Sequence, residues 1–452
     1  MVCEGPPEQK GQDRDVNVLL LIWGIVALIA VMTVYVPIRC DPLTGTAFFI
    51  GWLTGELAGQ LVVLDILVVT LLVWGGGGNS ATGVIGLCLA AVALVGLLVA
   101  LVVGRQARQV VRASLASTPG LTIDMTATDT RPKWGRWWRV VRAVPLPTRA
   151  ISVTKDVPYV VDGAKAQRLD VYAPAGGTTG APVMIYVHGG AWVLGDKREQ
   201  GKPMLFELVE RGWVCFSINY RLSPRAVWPD HINDVLAAIA WVKEHATEYG
   251  GDPSFVALSG GSAGGHLAAL AALAGDDDAF KAGFEGADCS VDACIPIYGV
   301  LDMTGDPQTS GRYGPGLKIL LERQVIKQRV AEAREVFEAA SPSYRLREDA
   351  PPFLVLHGTH DTLVPVAVPR AFVPALREVS SSPVGYIEFP LAQHAFDVIA
   401  SPRCSAAVAG IVAFLDAVRS RHEAERKGGA LATQASESDV QSGSCERETE
   451  RR

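Results

Sequence analysis

FVALSGGSAGGHLAAL, residues 255–270, joins an apolar run to a helix-forming run through a turn of small residues. The pentapeptide Gly260-Gly261-Ser262-Ala263-Gly264 matches G-x-S-x-G, and the apolar run before it predicts a buried strand. A turn this tight strains the backbone of its serine, and only small neighbours leave room for it. The hydroxyl then lies at a helix N-terminus, which favours developing negative charge. The stretch therefore predicts a nucleophile at Ser262.

Residues 151–421 alternate short apolar runs with helical stretches, a pattern typical of an α/β fold with a parallel sheet covered on both faces. An antiparallel pair is expected ahead of the parallel strands, at Val157–Val161 and Arg168–Tyr172. Residues 301–340 are polar and Gly-rich, then helical, and are predicted to form a cap or lid insertion. The other predicted strands are Val183–Val187, Val214–Asn219, Phe255–Leu258, Ala293–Tyr298, Phe353–Leu356 and Tyr386–Phe389.

A second glycine motif, in the string VMIYVHGGAW, follows the first of the predicted parallel strands. Nucleophilic attack on a carbonyl produces an oxyanion that needs fixed hydrogen-bond donors. The backbone N–H groups of Gly189 and Gly190, with that of Ala263, are the candidate donors, because glycine leaves the approach of the acyl group open. His188 precedes the glycines and is predicted to orient this loop.

A serine nucleophile needs a base, and the base needs an acid that holds its tautomer. In this architecture both are expected after late strands, in the order Ser, Asp, His. Asp361 follows a predicted strand in HGTHDTLVP, and His394 follows the next one in PLAQHAFD. We therefore predict Asp361 as the acid and His394 as the base, with Asp302 and Asp397 as rival acids.

Long apolar runs dominate the N-terminal part of the chain. Val16–Val36 and Ala81–Val103 contain no charged residue, and Ala47–Trp74 contains only Glu56 and Asp65. Each run is long enough to cross about 30 Å of hydrocarbon as a helix. We predict three transmembrane helices, with the two carboxyl groups facing neighbouring helices or neutralised.

The distribution of basic residues predicts the orientation in the membrane. Lys10 and Arg14 lie on one side of three spans, whereas Arg39 and a basic cluster beginning at Arg105 lie on the other. The balance places the chain after residue 104 in the cytoplasm. Two spans instead of three would invert this orientation.

Composition shifts divide the 452 residues into segments. RPKWGRWWRVVRAVPLPTRA, residues 131–150, combines tryptophan and arginine as membrane interfaces do, although packing on the soluble domain is an alternative. The C-terminal tail is poor in large apolar residues and is predicted to be disordered. The predicted segments are an N-terminal tail (1–15), a membrane region (16–104), an interfacial linker (105–150), an α/β domain (151–421) and the disordered tail (422–452).

Charge and cysteine content exclude some classes of function. A net charge of −6 gives no reason to expect nucleic acid as a partner. The eight cysteines show neither the density of a disulfide framework nor paired zinc knuckles. Buried free thiols are expected, and a bridge between Cys289 and Cys294 is the alternative.

Four ordered motifs resemble those of the esterase branch of the α/β-hydrolases. Within that branch the chain is similar to hormone-sensitive-lipase-like carboxylesterases, isoprenylcysteine methylesterases and kynurenine formamidases over about residues 151–421. Gly261 stands where hormone-sensitive-lipase relatives usually have an acidic residue, and Ala191 stands where they favour a third glycine. The HGGAW pattern and the HGTHD acid loop point towards the methylesterases and formamidases. The motifs are HGGAW (188–192), NYRLSP (219–224), GGDPSFVALSGGSAGGH (250–266) and HGTHDTLVP (357–365).

The resemblance implies hydrolysis through an acyl-enzyme, without a metal or an organic cofactor. We expect a membrane-anchored serine carboxylesterase or lipase whose partners are membrane lipids and a hydrophobic ester, lipid-like esters included. An amidase or formamidase with the same triad is one alternative. A non-catalytic membrane scaffold or transporter-like protein is another, supported by Glu56 and Asp65 alone. Trp192, Tyr220 and Trp228 are candidates to line the substrate pocket, and a place in the core fits them equally well.

Overall fold

An eight-stranded sheet forms the centre of the C-terminal domain in the computed structural model, which describes residues 7–39, 42–125, 143, 145–161, 163, 166–306 and 315–449. The strand order is β1-β2-β4-β3-β5-β6-β7-β8. The first two strands run antiparallel to their neighbours, and the others are parallel. The predicted α/β fold is confirmed. The strands are β1 (Ile151–Pro158), β2 (Arg168–Pro174), β3 (Ala181–Val187), β4 (Val214–Ile218), β5 (Gly251–Gly261), β6 (Ala293–Ile297), β7 (Phe353–Gly358) and β8 (Val384–Phe389).

Helices cover both faces of the sheet, and the alternation of side chains along each strand explains why. In β3, Val183 and Ile185 pack into the core on one face, whereas Met184 and Tyr186 pack into the core on the other. The first face is covered by α6, α7 and α10, and the second by α5 and α11. These helices and two short ones are α5 (Lys202–Glu210), α6 (Asp230–His245), α7 (Ala263–Ala274), α8 (Pro315–Leu320), α9 (Arg334–Ala339), α10 (Ala367–Val379) and α11 (Pro402–Thr449).

The N-terminal region is a bundle of apolar helices. Within the described residues, two helices are long and apolar enough to cross a membrane, Arg14–Tyr35 and Ala81–Ala116. The middle predicted span is broken, because its two parts meet at an angle of 87°. The bundle consists of α1 (Pro7–Tyr35), α2 (Thr44–Glu56), α3 (Ala58–Trp74) and α4 (Ala81–Ala116).

Small residues and a polar contact hold this bundle together. A Cβ atom added to Gly24 would collide with the Gly86 backbone, so α1 and α4 approach closely. The Trp23 indole N–H donates a 2.8 Å hydrogen bond to Asp65. Asp65 therefore faces a neighbouring helix, as predicted, and this structural contact accounts for the carboxyl group without a transport role.

The boundary between bundle and α/β domain differs from the prediction. α4 does not end near residue 104 but continues to Ala116, and Ala107, Val111 and Leu115 are buried against the sheet domain. The first part of the predicted linker is therefore helical, because its apolar residues recur at helical spacing. Most of the tryptophan- and arginine-rich segment lies outside the described residues, so its role at the interface stays a prediction.

Three other segments can be compared with their predictions. The backbone of α11 continues through Thr449, whereas disorder was expected from residue 422; pairs such as Arg419–Glu423 at i,i+4 favour the helix. The described part of the predicted cap, which contains α8 and α9, packs on the core through Val325 and Phe337. Cys289 and Cys294 are free and buried, which excludes a bridge between them in this structure.

Candidate active site

The turn between β5 and α7 has the strained geometry that its sequence predicts. Ser262 has φ 57° and ψ −120°, and residues with a side chain rarely adopt a positive φ. A Cβ atom at Gly260 or Gly264 would collide with neighbouring backbone, which explains the small residues there. The Ser262 N–H donates to the carbonyl of Ile297 at 2.9 Å, and this bond fixes the turn over β6. Ser262 is half-buried at the start of α7.

Asp361 and His394 lie together in the loops after β7 and β8. Asp361 Oδ2 is 2.7 Å from His394 Nδ1, and its Oδ1 accepts from the N–H groups of Leu363 and Val364 at 2.9 and 2.8 Å. Burial raises the pKa of Asp361, but the charge and hydrogen bond of His394 outweigh it and hold that pKa below its ordinary value. The carboxylate can therefore orient the imidazole and stabilise its protonated form.

Tyr298, which follows β6, links the histidine to the serine turn. Its ring centroid is 4.4 Å from that of His394. A Cβ atom added to Gly261, the residue before Ser262, would lie 2.9 Å from the Tyr298 hydroxyl. Gly261, the residue before Ser262, and His394 therefore both lie next to Tyr298, at the carboxyl edge of the sheet.

The two rival acids have other contacts. Asp397 accepts a hydrogen bond from the hydroxyl of Tyr298, and burial raises its pKa to about 6. Asp302 accepts from the N–H and the hydroxyl of Thr304, both at 2.7 Å. Asp361 is thus the acid that bonds to His394. Tyr298 was missed from the sequence, because its position after a strand gave no sign of a partner so far along the chain.

The glycine loop after β3 requires a correction. The N–H of Gly189, a predicted oxyanion donor, donates to the side-chain oxygen of Gln200 at 2.8 Å. Its sequence context could not reveal this partner, which lies in the following loop. Gly190 has φ 122°, a conformation that requires glycine. Ala263 opens α7, so its N–H has no acceptor within the helix.

His188 has the structural role that was predicted for it. Its ring is buried, stacks on Tyr220 at 4.6 Å and lies 2.7 Å through Nδ1 from the carbonyl of Gly189. Burial lowers the pKa of His188, which favours a neutral ring. These contacts orient the glycine loop.

Two of the three aromatic residues proposed for the pocket, Trp192 and Tyr220, are buried in the core. Trp192 and Tyr220 are each 1% exposed, and Trp228 is half-buried against the same core. The Trp192 indole donates to His266 at 3.2 Å, and the Tyr220 hydroxyl donates to the carbonyl of His188 at 3.1 Å. The polar atoms of Trp192 and Tyr220 thus bond to α7 and to the glycine loop, so both residues pack in the core, whereas Trp228 stays a candidate for the pocket.

Side chains of the N-terminal bundle reach the acid and base loops. Arg39 Nη2 donates to the carbonyl of Asp361 at 2.8 Å, and the Trp52 indole donates to that of Ala395 at 2.8 Å. The Phe48 ring lies edge-on to His394, with centroids 6.1 Å apart. Nothing in the sequence connects α2 with the site, because the apolar composition of α2 matches that of a transmembrane helix.

Glu56, at the end of α2, is buried against the α/β domain. It forms an ion pair with Arg403 of α11 and accepts a hydrogen bond from Ser401. Both charged side chains are almost fully buried, at 1% and 3% exposure. The carboxyl group predicted to face another membrane helix therefore faces the α/β domain. With Asp65 bonded to Trp23, the two residues that supported a transporter-like role both have structural partners.

Comparisons with known proteins point to esterases. The family model described as BD-FAE matches residues 169–376. The probable carboxylic ester hydrolase LipM of Mycobacterium tuberculosis is 40% identical over 406 residues, which cover 86% of this chain and 89% of LipM. Esterase LipQ of the same organism is 44% identical over 63% of this chain and 67% of LipQ. The crystal structure of esterase B from Lactobacillus rhamnosis covers 70% of this chain and 98% of its own, with a TM-score of 0.53 and 20% identity, and so shows the fold alone.

The match to LipM extends beyond the α/β domain. Residues 151–452 make up about two thirds of the chain, so a match over 86% of it includes a large part of the N-terminal helices. The two relatives carry the names of a probable carboxylic ester hydrolase and an esterase, and the eight-stranded sheet belongs to a fold shared with esterase B. The chain belongs to the hormone-sensitive-lipase-like family of α/β-hydrolase esterases and is a serine hydrolase that acts on carboxylic esters.

Proposed function

We propose that this esterase cleaves hydrophobic carboxylic esters at a membrane, through an acyl-enzyme formed on Ser262. The observation that carries the proposal is the 2.7 Å contact between His394 and Asp361, on the same edge of the sheet as the strained turn at Ser262. A serine hydroxyl is a weak nucleophile until a base takes its proton, and an oriented histidine supplies that base.

The proposed reaction has two halves. His394 accepts the proton of Ser262 as the hydroxyl oxygen attacks the ester carbonyl, and the oxyanion binds to the N–H groups of Gly190 and Ala263. His394 then protonates the departing alcohol as the tetrahedral intermediate collapses to the acyl-enzyme. Water attacks next, again with His394 as base, and releases the acid. In this proposal Gly189, bonded to Gln200, forms the wall beside the serine.

We propose three crossings for the bundle, made by α1, α3 and α4. The N–H of Gly78, after α3, donates to the side chain of Asn17 near the start of α1 at 2.9 Å. Tyr35, at the other end of α1, donates to the carbonyl of Gly96 in α4 at 2.6 Å. These contacts support a path in which α3 returns to the side where α1 begins. The basic residues Arg39 and Arg105 then favour a cytoplasmic catalytic domain.

A fluorophosphonate probe applied to the full chain in detergent tests the nucleophile. We expect labelling at Ser262, and loss of both labelling and ester hydrolysis in Ser262→Ala. The exposed Ser290→Ala variant is the matched control and should behave as the wild type. Undiminished hydrolysis of 4-nitrophenyl butyrate by Ser262→Ala would reject the proposal. Parallel assays with N-formyl arylamines separate the ester reaction from the amidase alternative.

A further inference from the structure

The direction of α2 distinguishes it from the other helices of the bundle. α2 meets α3 at 87°, so α2 lies across the bundle, whereas α3 runs along the bundle. The start of α3, which follows α2 directly, shows the height of α2, that is, its position along the axis of the bundle. A Cβ atom added to Gly59, the second residue of α3, would lie 3.6 Å from Leu101 of α4. Leu101 lies four residues before Arg105, which is about 6 Å along a helix. α2 therefore lies at the level where the apolar part of α4 ends.

The two faces of α2 have different surroundings. Ala47, Phe48 and Gly51 are buried against the rest of the chain. Phe49 and Leu53, spaced i,i+4 on the other face, are 56% and 41% exposed. An exposed apolar stripe at the end of a membrane bundle is typical of a helix that lies in the bilayer interface.

The buried face of α2 contacts the catalytic loops directly. Phe48 packs against His394, and Trp52 donates a hydrogen bond to the next residue, Ala395. From the other side, Leu391 of the same loop packs against the hydrophobic cluster of the bundle. A single helix thus separates the base from the surface that carries Phe49 and Leu53.

We propose that α2 lies in the plane of the membrane interface and forms the wall between the bilayer and the active site. The substrate is then an amphiphilic ester whose acyl chain stays among the lipid tails while its carbonyl reaches Ser262 past the His394 loop that α2 contacts. This inference rests on the proposed esterase function and specifies its substrate class. The continuity of α2 with α3 and the height of α2 identify the bilayer as the occupant of the exposed stripe.

Photo-crosslinking tests the position of α2 without relying on turnover. The full chain, reconstituted in phosphatidylcholine vesicles, carries benzoylphenylalanine at position 49 or, as a matched control, at position 161. Val161 is 92% exposed on the turn after β1. We expect lipid adducts by mass spectrometry from position 49 and none from position 161. Absence of lipid adducts at position 49 would overturn the proposal.

Kinetics test the route of the substrate. Leu53→Glu introduces a charge on the stripe, and Val161→Glu introduces the same charge on an exposed apolar residue elsewhere. We expect Leu53→Glu to lower at least tenfold the ratio of turnover of vesicle-dissolved 4-nitrophenyl palmitate to that of aqueous 4-nitrophenyl acetate, and Val161→Glu to leave it unchanged. An unchanged ratio in Leu53→Glu overturns the route. Wild-type protein that cleaves neither ester would instead reject the proposed function, whatever the crosslinks show.

Discussion

The indole N–H of Trp52 donates a hydrogen bond of 2.8 Å to the carbonyl oxygen of Ala395, the residue that follows His394. Ala395 has φ 62°, a conformation that costs free energy for a residue with a side chain. A helix of the N-terminal bundle therefore stabilises an unfavourable loop conformation that fixes the position of the proposed base.

Removing this hydrogen bond should slow catalysis. Trp52→Phe keeps an aromatic ring but loses the N–H donor, and a hydrogen bond of about 1 kcal/mol corresponds to roughly a fivefold change in rate. We expect kcat on 4-nitrophenyl butyrate to fall by about that factor or more. Trp74→Phe, at a residue 88% exposed at the end of α3, is the matched control. Equal kcat values for the two variants would show that Trp52 does not position His394.

Breaking the buried ion pair between Arg403 and Glu56 should destabilise the protein. Arg403→Met leaves a buried carboxylate without its cation, which costs roughly 3 kcal/mol or more. Urea unfolding in detergent measures the change. Arg421→Met removes a pair that is exposed on α11 and should change stability by less than about 1 kcal/mol. The double variant Glu56→Leu/Arg403→Met should be more stable than Arg403→Met, and a double variant that is less stable would contradict this explanation.

Neutralising the acid should affect catalysis far more than folding. Asp361→Asn removes the charge that orients and stabilises protonated His394, and roughly a thousandfold loss of kcat is expected. Asp302→Asn, at the rival acid bonded to Thr304, serves as the comparison and should lose less than tenfold. Steady-state kinetics on one soluble ester decide between them. A larger loss of kcat in Asp302→Asn than in Asp361→Asn would show that Asp361 is not the acid.

Hydrolysis should fall as the pH is lowered from 8 to 5, because a histidine that acts as base cannot accept the serine proton once it is protonated. Asp361 does not contribute to this fall, since its depressed pKa keeps the carboxylate charged throughout that range. Turnover of 4-nitrophenyl butyrate at fixed ionic strength measures the profile. A flat profile between pH 8 and 5 would remove His394 from the mechanism.

Asp397 should make the folded state less stable as the pH rises. Burial raises its pKa from 3.8 to about 6, so the folded state holds this proton more tightly than the unfolded chain does. Its favourable contribution is complete below pH 4 and is lost by about pH 6, a change on the order of 3 kcal/mol. Asp397→Asn lacks this titration. Urea unfolding of both proteins from pH 4 to 7 should therefore give a stability difference that grows with pH in favour of the variant, and a constant difference would contradict the assignment.

The sheet and the loops at its edge could be predicted because their causes are local. Strands buried on both faces are continuous apolar runs, and Ser262, Asp361 and His394 follow such runs directly. The contact of Gly189 with Gln200 could not be predicted, because a half-buried glutamine in a loop leaves no pattern in the sequence. The bend after Glu56 was also missed, because the apolar composition on its two sides is the same.

An apolar composition indicates that a helix is stable in an apolar environment, but it does not specify the direction of the helix axis. Ala47–Trp74 reads as one continuous span, whereas in the structure the chain bends by 87° after Glu56, which pairs with the distant Arg403. The burial of Trp192 could not be predicted either, since a large aromatic residue after a glycine loop is compatible with both a pocket wall and a core.

α4 passes without interruption from Ala81 to Ala116, and Val111 and Leu115 at its far end are fixed in the core beneath the sheet. A flexible linker would let a catalytic domain rotate freely relative to its membrane helices. A continuous helix instead fixes both the distance and the angle between the bundle and the α/β domain. If α4 crosses a membrane as we propose, any tilt that it adopts to match the thickness of the lipid also tilts the sheet. The thickness of the membrane would then influence the orientation of the enzyme.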